Sequence, residues 1–293
     1  MTDRTIYFHA RCNDGLLAAY IYNLERPSKC IPIVHDKKYS LVESGSVVFV
    51  DMAPTESQLT SLLENKEITS VLIVDHHATN KFITQIKHQK LTVNYNVNEA
   101  CAALMAVNSL NPTNHMYERI KMFAEYADDR DRWKWARYRS REVTTYTFSV
   151  LKMPDHFEDP TEHFQLYDNL ISSGISVDEM GDLGKKILEK NDIIIQFLAS
   201  QASRHGMRVG DRIYRIAMIN TRAFRSEACA EMLKQHDIDF AFAWHYDSMG
   251  KFWLSMRSCE GRVDVSAVAK QLGGDGNHDT AGCTVDDLSK MLI

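Results

Sequence analysis

Long apolar runs are missing from this 293-residue chain: no stretch approaches the roughly 20 residues that a helix needs to cross a bilayer. Cysteine pairs are missing as well. The six cysteines (Cys12, Cys30, Cys101, Cys229, Cys259 and Cys283) are scattered without a C-x-x-C spacing, a pattern of reduced thiols and not of a disulfide framework or a thiolate zinc site. Proline is scarce at six residues, and repeats and low-complexity segments are lacking, which sets aside collagen-like and disordered classes. There is no excess of positive charge. The 34 Lys and Arg against 39 Asp and Glu leave a net charge of −5, which argues against a basic surface that coats long duplex DNA. It does not argue against a pocket that grips one or two phosphates. The first five residues are polar and run into Ile6-Tyr7-Phe8, where a secretory signal would carry an apolar core. The expectation is a soluble, cytoplasmic protein with no membrane partner.

What is present suits a folded enzyme-sized chain. A 44% apolar and 10% aromatic content can bury a substantial core, and the length is about twice the usual 150-residue domain. Apolar runs at 5–9, 31–34, 47–50, 71–74 and 91–95 read as strands, several of them continuous, as in strands covered on both faces. Helical patterns at 15–24, 55–65 and 82–87 separate them, with Thr55 and Gln58 spaced as a capping box. Strands alternating with helices imply α/β architecture and a parallel sheet. Residues 99–136 read as mostly helical, broken at Asn111-Pro112, and 138–159 is ambiguous. Helices follow at 163–171 and about 180–201, the latter read as a connector or, alternatively, as a helix packed within either domain. Strands resume at 214–219, 240–245, 252–256 and 281–285, with helices at 227–235 and 265–272, so a smaller second α/β domain is expected.

In an open parallel sheet, ligands collect outside the carboxyl ends of the strands. Here each of three strands ends in polar chemistry. The first ends at His9 and leads into Asn13-Asp14-Gly15, the 47–50 strand ends at Asp51, and the 71–74 strand ends at Asp75-His76-His77. A lone aspartate after a strand is more often a turn or cap residue, and Asp14 before Gly15 suits an N-cap. Three strand ends doing this together favour a shared site. Mixed Asp and His donors suit a divalent ion such as Mn2+ better than a structural zinc.

These residues fall into ordered motifs. Val74-Asp75-His76-His77 after a hydrophobic strand resembles the signature of the DHH phosphoesterase superfamily. Phe8-His9 through Cys12-Asn13-Asp14-Gly15-Leu16-Leu17-Ala18-Ala19 resembles its first motif, in the form with a Cys before the Asp-Gly. Val50-Asp51 resembles the second, and Ala127-Asp128-Asp129-Arg130-Asp131-Arg132-Trp133 the fourth. The last third is similar to the DHH-associated domain of the exonuclease and nanoRNase branches, through Asn220, Ser226-Glu227, Ser255-Met256-Arg257 and Gly273-Gly274-Asp275-Gly276 to Ala281-Gly282. The resemblance covers nearly the whole chain. It implies a DHH catalytic domain at 1–175, a linker helix at 176–203 and a DHH-associated substrate-binding domain at 204–293.

The same resemblance implies a two-metal phosphodiesterase. Asp51 would bridge both ions, Asp14, His76 and Asp129 would complete one, and His9 would bind the other. His77 would face the scissile phosphate, with Asp75 and Asp131 orienting the ligands. Among Asp128, Asp129 and Asp131 the sequence alone does not decide the ligand, and spacing to Trp133 favours Asp129. Two cations about 3.5–4 Å apart clamp the attacking and leaving oxygens of an in-line displacement. The implied ions are Mn2+, with Mg2+ or Co2+ as alternatives. The first motif commonly has a further aspartate where Arg11, Cys12 and Asn13 stand. The usual Gly-Gly-Gly-Gly-His has Asn277 at the His position, with His278 next.

In the second domain, Gly274 and Gly276 would admit a close anion and Arg257 would offer a planar fork to phosphate, with Asn277, His278, Asn220 and Ser226 around them. Arg222, Arg225 and Arg262 add positive charge, Trp244 and Trp253 read as core, and His35 and His245 read as structural or solvent-facing. The expected activity is metal-dependent hydrolysis of short single-stranded RNA or DNA (nanoRNA) to nucleoside monophosphates. The close alternative is a phosphodiesterase of cyclic or linear dinucleotides, and the alternative of another class is a catalytically impaired nucleotide-binding protein. A homodimer is compatible with all three.

Overall fold

The computed structural model describes residues 3–10, 12–34, 39–97, 99–110, 116–152, 159–247, 250–259 and 261–293. Arg11, His35 and the Asn111-Pro112 break lie outside the described residues. Two compact units are present, Met1–His76 with Asn80–Leu188, and Glu189–Ile293 with the short segment His77–Thr79. The division falls inside one helix, within the stretch expected as a linker.

The first unit is built on five parallel strands in the order β2-β1-β3-β4-β5: β1 Arg4–His9, β2 Lys29–Ile33, β3 Gly45–Val50, β4 Ile68–Asp75 and β5 Leu91–Tyr95. The continuous apolar runs follow from cover on both faces. Ile6, Phe8, Val48 and Val50 enter one core cluster, whereas Tyr7, Val47 and Phe49 enter another on the opposite side. Helix α1 (Asn13–Glu25) belongs to the first of these, and every residue from Asn13 to Tyr22 is buried. It packs on β1 and on α3 (Ala102–Val107) and α4 (Tyr117–Asp131). Arg4 closes the end of α1, donating to the Arg26 carbonyl at 2.6 Å, to Ser28 Oγ at 2.7 Å and to the Tyr22 carbonyl. Helix α2 (Glu56–Glu64) lies on the other face, and its expected capping box is present: Thr55 N–H donates to Gln58 Oε1 at 2.9 Å and Gln58 N–H to Thr55 Oγ1 at 3.3 Å.

Two expectations changed in form. The helix expected at 82–87 is a 3-10 helix at Ala78–Gln85, and the ambiguous 138–159 stretch contains α5 (Ser140–Leu151). Helices α6 (Thr161–Ser172) and α7 (Val177–Ser200) follow. Among the described residues, no helix is long and apolar enough to cross a membrane. The six cysteines are free thiols.

The second unit carries a six-stranded sheet in the order β10-β11-β9-β8-β7-β6. Its strands are β6 Ser203–Val209, β7 Arg212–Asn220, β8 Phe240–Tyr246, β9 Phe252–Arg257, β10 Asp275–Asn277 and β11 Thr280–Val285; only β7 and β8 pair in parallel among them. Helix α8 (Arg225–Gln235) packs small residues on one face, where Cys229 and Met232 meet Ala217, Ala241 and Ala243. Helix α9 (Val265–Gln271) lies on the other, with Phe240, Phe242, Leu254 and Met256 beneath it. Trp244 packs at the margin of that core, and Trp253 donates its indole N–H to Asp247 at 2.7 Å.

Candidate metal centre

The strand order reverses direction between β1 and β3, which is where open sheets of this winding open a crevice at their carboxyl ends. His9 ends β1 and Asp51 follows β3. Asp51 is 1% exposed and has φ 57°, a left-handed backbone that aspartate and asparagine tolerate better than other side chains. That turn lets its carboxylate reach both neighbours: Oδ2 lies 3.2 Å from His9 Nδ1 and Oδ1 lies 3.2 Å from His76 Nε2. Gly15 leaves the room for this. A Cβ there would stand 2.4 Å from the His9 carbonyl oxygen and 3.1 Å from Asp51 Oδ2.

His76, 2% exposed at the end of β4, is the hub. Its Nε2 is also 3.5 Å from Asp14 Oδ2 and 3.5 Å from Asp131 Oδ2. Asp14 sits in the first turn of α1, fully buried, and caps the start of α3: Oδ2 accepts from Ala102 N–H at 2.9 Å and Oδ1 from Ala103 N–H at 2.6 Å. Burial pushes its carboxyl well above the ordinary range, and the Asp51 and Asp131 carboxylates push it further, against a smaller opposing effect of His76. The Cys12 thiol is raised in the same way, first by burial and then by Asp51, Asp131 and Asp14. Anionic oxygens gathered out of water call for a compensating positive charge.

Three groups of ligand atoms, each within 4.8 Å of one another, overlap here: His9 with Cys12 and Asp51, Asp51 with His76 and His77, and Asp14 with His76 and Asp131. Asp51 and His76 are each shared by two groups, so the donors run on as a row long enough for more than one cation. Carboxylate oxygens and imidazole nitrogens in this mixture fit divalent ions. The sequence-expected donors His9, Asp14, Asp51 and His76 are therefore together, with His77 beside them. Asp75 is 0% exposed and accepts from Asn80 Nδ2 at 2.7 Å.

Asp129 is placed otherwise. Its carboxylate accepts from Ala136 N–H at 3.0 Å and Arg137 N–H at 3.2 Å, and its carbonyl from Lys134 N–H at 2.8 Å. It thereby organises a turn in which Trp133 and Trp135 have φ 55° and 52°. Asp128 accepts from Cys101 N–H at 2.8 Å and pairs with Arg132. Asp131 is the residue of the three that reaches His76. Helical geometry carried a signal for this: Asp128 and Asp131, three apart, share a face of α4, whereas Asp129 is turned away from it. Asp129→Ala is expected to lower stability by about 1.5–3 kcal/mol, because the N–H groups of Ala136 and Arg137, in a part-buried turn, lose a charged acceptor. Asp131→Ala is expected to melt near wild type but bind divalent ions more weakly. Denaturant melts and ion titrations of the two variants check this.

In the second unit, Gly274 and Gly276 have packing reasons for being glycine. A Cβ on Gly274 would meet the Gly282 carbonyl oxygen at 2.1 Å, and one on Gly276, where φ is 148°, would meet Ala281 Cα at 2.4 Å. Both allow β10 to lie close on β11. Arg257 ends β9 at 4% exposure, opposite Ala241 and Thr280, almost withdrawn from solvent. His278 is exposed in the β10–β11 turn, and its hydrogen bond to Asp279 raises its pKa. Asn277 lies on β10 with a buried Oδ1, Asn220 is exposed at the end of β7, and Ser226 is in the first turn of α8. Arg262 donates to the Ile238 carbonyl at 2.7 Å and Arg222 to that of Tyr246 at 3.2 Å.

No family model matches the chain. It is 25% identical over 308 residues to an uncharacterized protein, R106, of Acanthamoeba polyphaga mimivirus, an alignment covering 98% of this chain and 68% of that protein. It is 21% identical over 227 residues to the oligoribonuclease NrnB of Bacillus subtilis, covering 74% of this chain and 53% of that one. The chain thus spans about two thirds of the first relative and about half of the second. Among solved structures, an exopolyphosphatase-related protein from Bacteroides fragilis matches at TM-score 0.50 and 9% identity, over 96% of this chain and 86% of that one, a likeness of fold.

Proposed function

We propose that the chain, a member of the DHH phosphoesterase superfamily by its ordered motifs and its fold, is a metal-dependent phosphodiesterase that hydrolyses short oligonucleotides to nucleoside monophosphates. One observation carries the reading: Asp14, Asp51 and Asp131, from distant parts of the sequence, converge on His76 Nε2 at 3.2–3.5 Å. In this reading Asp14, Asp51, His76 and Asp131 would hold one cation, and Asp51 with His9 would hold a second. When bound, such a pair supplies the positive charge that clamps the oxygens of an in-line displacement. Mn2+ suits these donors. His77 faces the phosphate, and Asp75, steadied by Asn80, fixes the end of β4 that presents both histidines.

The short substrate has separate support. Processive binding of long single strands uses an extended positive groove, and this chain has a net charge of −5 without long basic tracts. The relative from Bacillus subtilis is named an oligoribonuclease. The second unit supplies the nucleotide-holding groups in this reading: Asn220 and Ser226 where β7 leads into α8, and Asn277 and His278 at the glycine turn.

The test is Mn2+-dependent release of mononucleotide from end-labelled RNA of two to five units by the purified chain. Release that falls off with substrate length supports the proposal. Tight dinucleotide binding without release overturns it in favour of a nucleotide-binding protein, and neither binding nor release overturns both readings.

A further inference from the structure

We infer that Cys12 is itself a metal ligand: its sulfur completes, with His9 and Asp51, the cation site at the β1 end of the donor row. The inference rests on the metal-centre reading above and deepens it. The ligand atoms of His9, Cys12 and Asp51 lie within 4.8 Å of one another, a spacing one ion can span. The sulfur also approaches Asp131 Oδ1 at 3.8 Å, so it lies inside the carboxylate cluster.

Residue type points the same way. Cys12 is the N-cap of α1, with extended φ −118° and ψ 131°, a position where Ser, Thr, Asp or Asn would cap the helix with a side-chain oxygen. Its side chain makes no cap hydrogen bond. Helix capping therefore gives no reason for a cysteine here, whereas a site otherwise short of donors does. His9 and Asp51 alone offer one nitrogen and one shared carboxylate. A thiolate adds a negative charge and a soft donor, which shifts the preference of this position toward Co2+, Zn2+ or Cd2+ and away from Mg2+. On binding, the thiol proton is released to solvent as the sulfur–metal bond forms, and nothing is oxidised or reduced.

The experiment is a Co2+ titration of the metal-free full chain, followed by absorption. Visible ligand-field bands report any bound Co2+, and a near-ultraviolet charge-transfer band reports sulfur ligation. The wild type is expected to show both. Cys12→Ser is expected to lose the charge-transfer band and keep ligand-field absorption, while Cys259→Ser, in the second unit, keeps both. Cys12→Asp is expected to retain the wild-type ion stoichiometry without the charge-transfer band, and Cd2+ affinity is expected to fall about tenfold or more in Cys12→Ser. Ligand-field bands in the wild type without charge transfer, or charge transfer that survives Cys12→Ser, would overturn the cysteine assignment and leave the metal centre standing. No Co2+ binding at all would overturn both. Should Cys12→Ser fail to fold by circular dichroism, the wild-type and Cys12→Asp spectra still decide.

Discussion

His76→Ala is expected to abolish measurable hydrolysis while leaving the far-ultraviolet circular dichroism of the chain unchanged. The imidazole is the group on which Asp14, Asp51 and Asp131 converge, so its loss removes a donor from the centre of the row. Positive charge on a transferring phosphoryl oxygen is worth several kcal/mol of barrier, and at about 1.4 kcal/mol per tenfold the expected loss in kcat is on the order of a thousandfold. The fold has little reason to suffer. His76 lies at the carboxyl end of β4, beyond the Val71–Val74 pairs that hold the strand between β3 and β5. Steady-state kinetics on a labelled dinucleotide, with Mn2+ varied, checks the expectation, and activity like that of the wild type would refute the ligand assignment.

Asp51→Asn is expected to be at least as damaging. Asparagine has the same shape and accepts the left-handed φ of 57° that Asp51 adopts, so the backbone turn survives the exchange. What disappears is the charge of a carboxylate that reaches both His9 and His76. In the proposed two-cation reading both positions weaken together, so kcat/KM should fall by on the order of a thousandfold or more, the scale of several kcal/mol. Calorimetric titration with Mn2+ should show weakened binding at more than one site. Loss of a single site with the other untouched would show that Asp51 is not shared. Asp51→Ala is the poorer probe, since it combines the same loss with strain at a positive φ.

The parallel sheet was legible because its strands announce themselves. Val47–Val50 and Val71–Val74 are apolar without interruption, and only cover on both faces explains such runs. The Thr55–Gln58 cap was legible for the same local reason. Strand β6 was not: in Ser203–Val209 only Met207 and Val209 are buried, because an edge strand with one covered face needs few apolar residues. The three-residue β10 hid inside the glycine segment, where its glycines serve close pairing to β11. Helix α5 begins after Arg139 and ends at Lys152, both left-handed and neither a typical boundary residue, so its limits gave no signal. The 3-10 helix at Ala78–Gln85 lies where the apolar spacing suggested an ordinary one.

At the site, the strand-end residues could be found from the pattern of polar endings on apolar strands. For the fourth-motif aspartate two signals conflict: spacing along the chain favours Asp129, whereas the face of α4 favours Asp131. At Cys12 the sequence shows a missing carboxylate, and only the nearness of His9 and Asp51 in space makes its sulfur a candidate donor. In both cases the deciding fact is three-dimensional: Asp129 is already occupied by the N–H groups of 136 and 137, and Cys12 lies beside Asp131 across 119 positions of sequence.

The alternation along β1 limits how this protein can vary. Ile6 and Phe8 look one way, Tyr7 the other, and His9 stands at the tip of that count. Inserting or deleting one residue within the strand would turn the aromatic rings into the wrong layers and swing the terminal imidazole to the far side of the sheet. Changes of length are therefore confined to the connections, such as the turn at 26–28 between α1 and β2, while the short run that delivers the first histidine stays fixed in number.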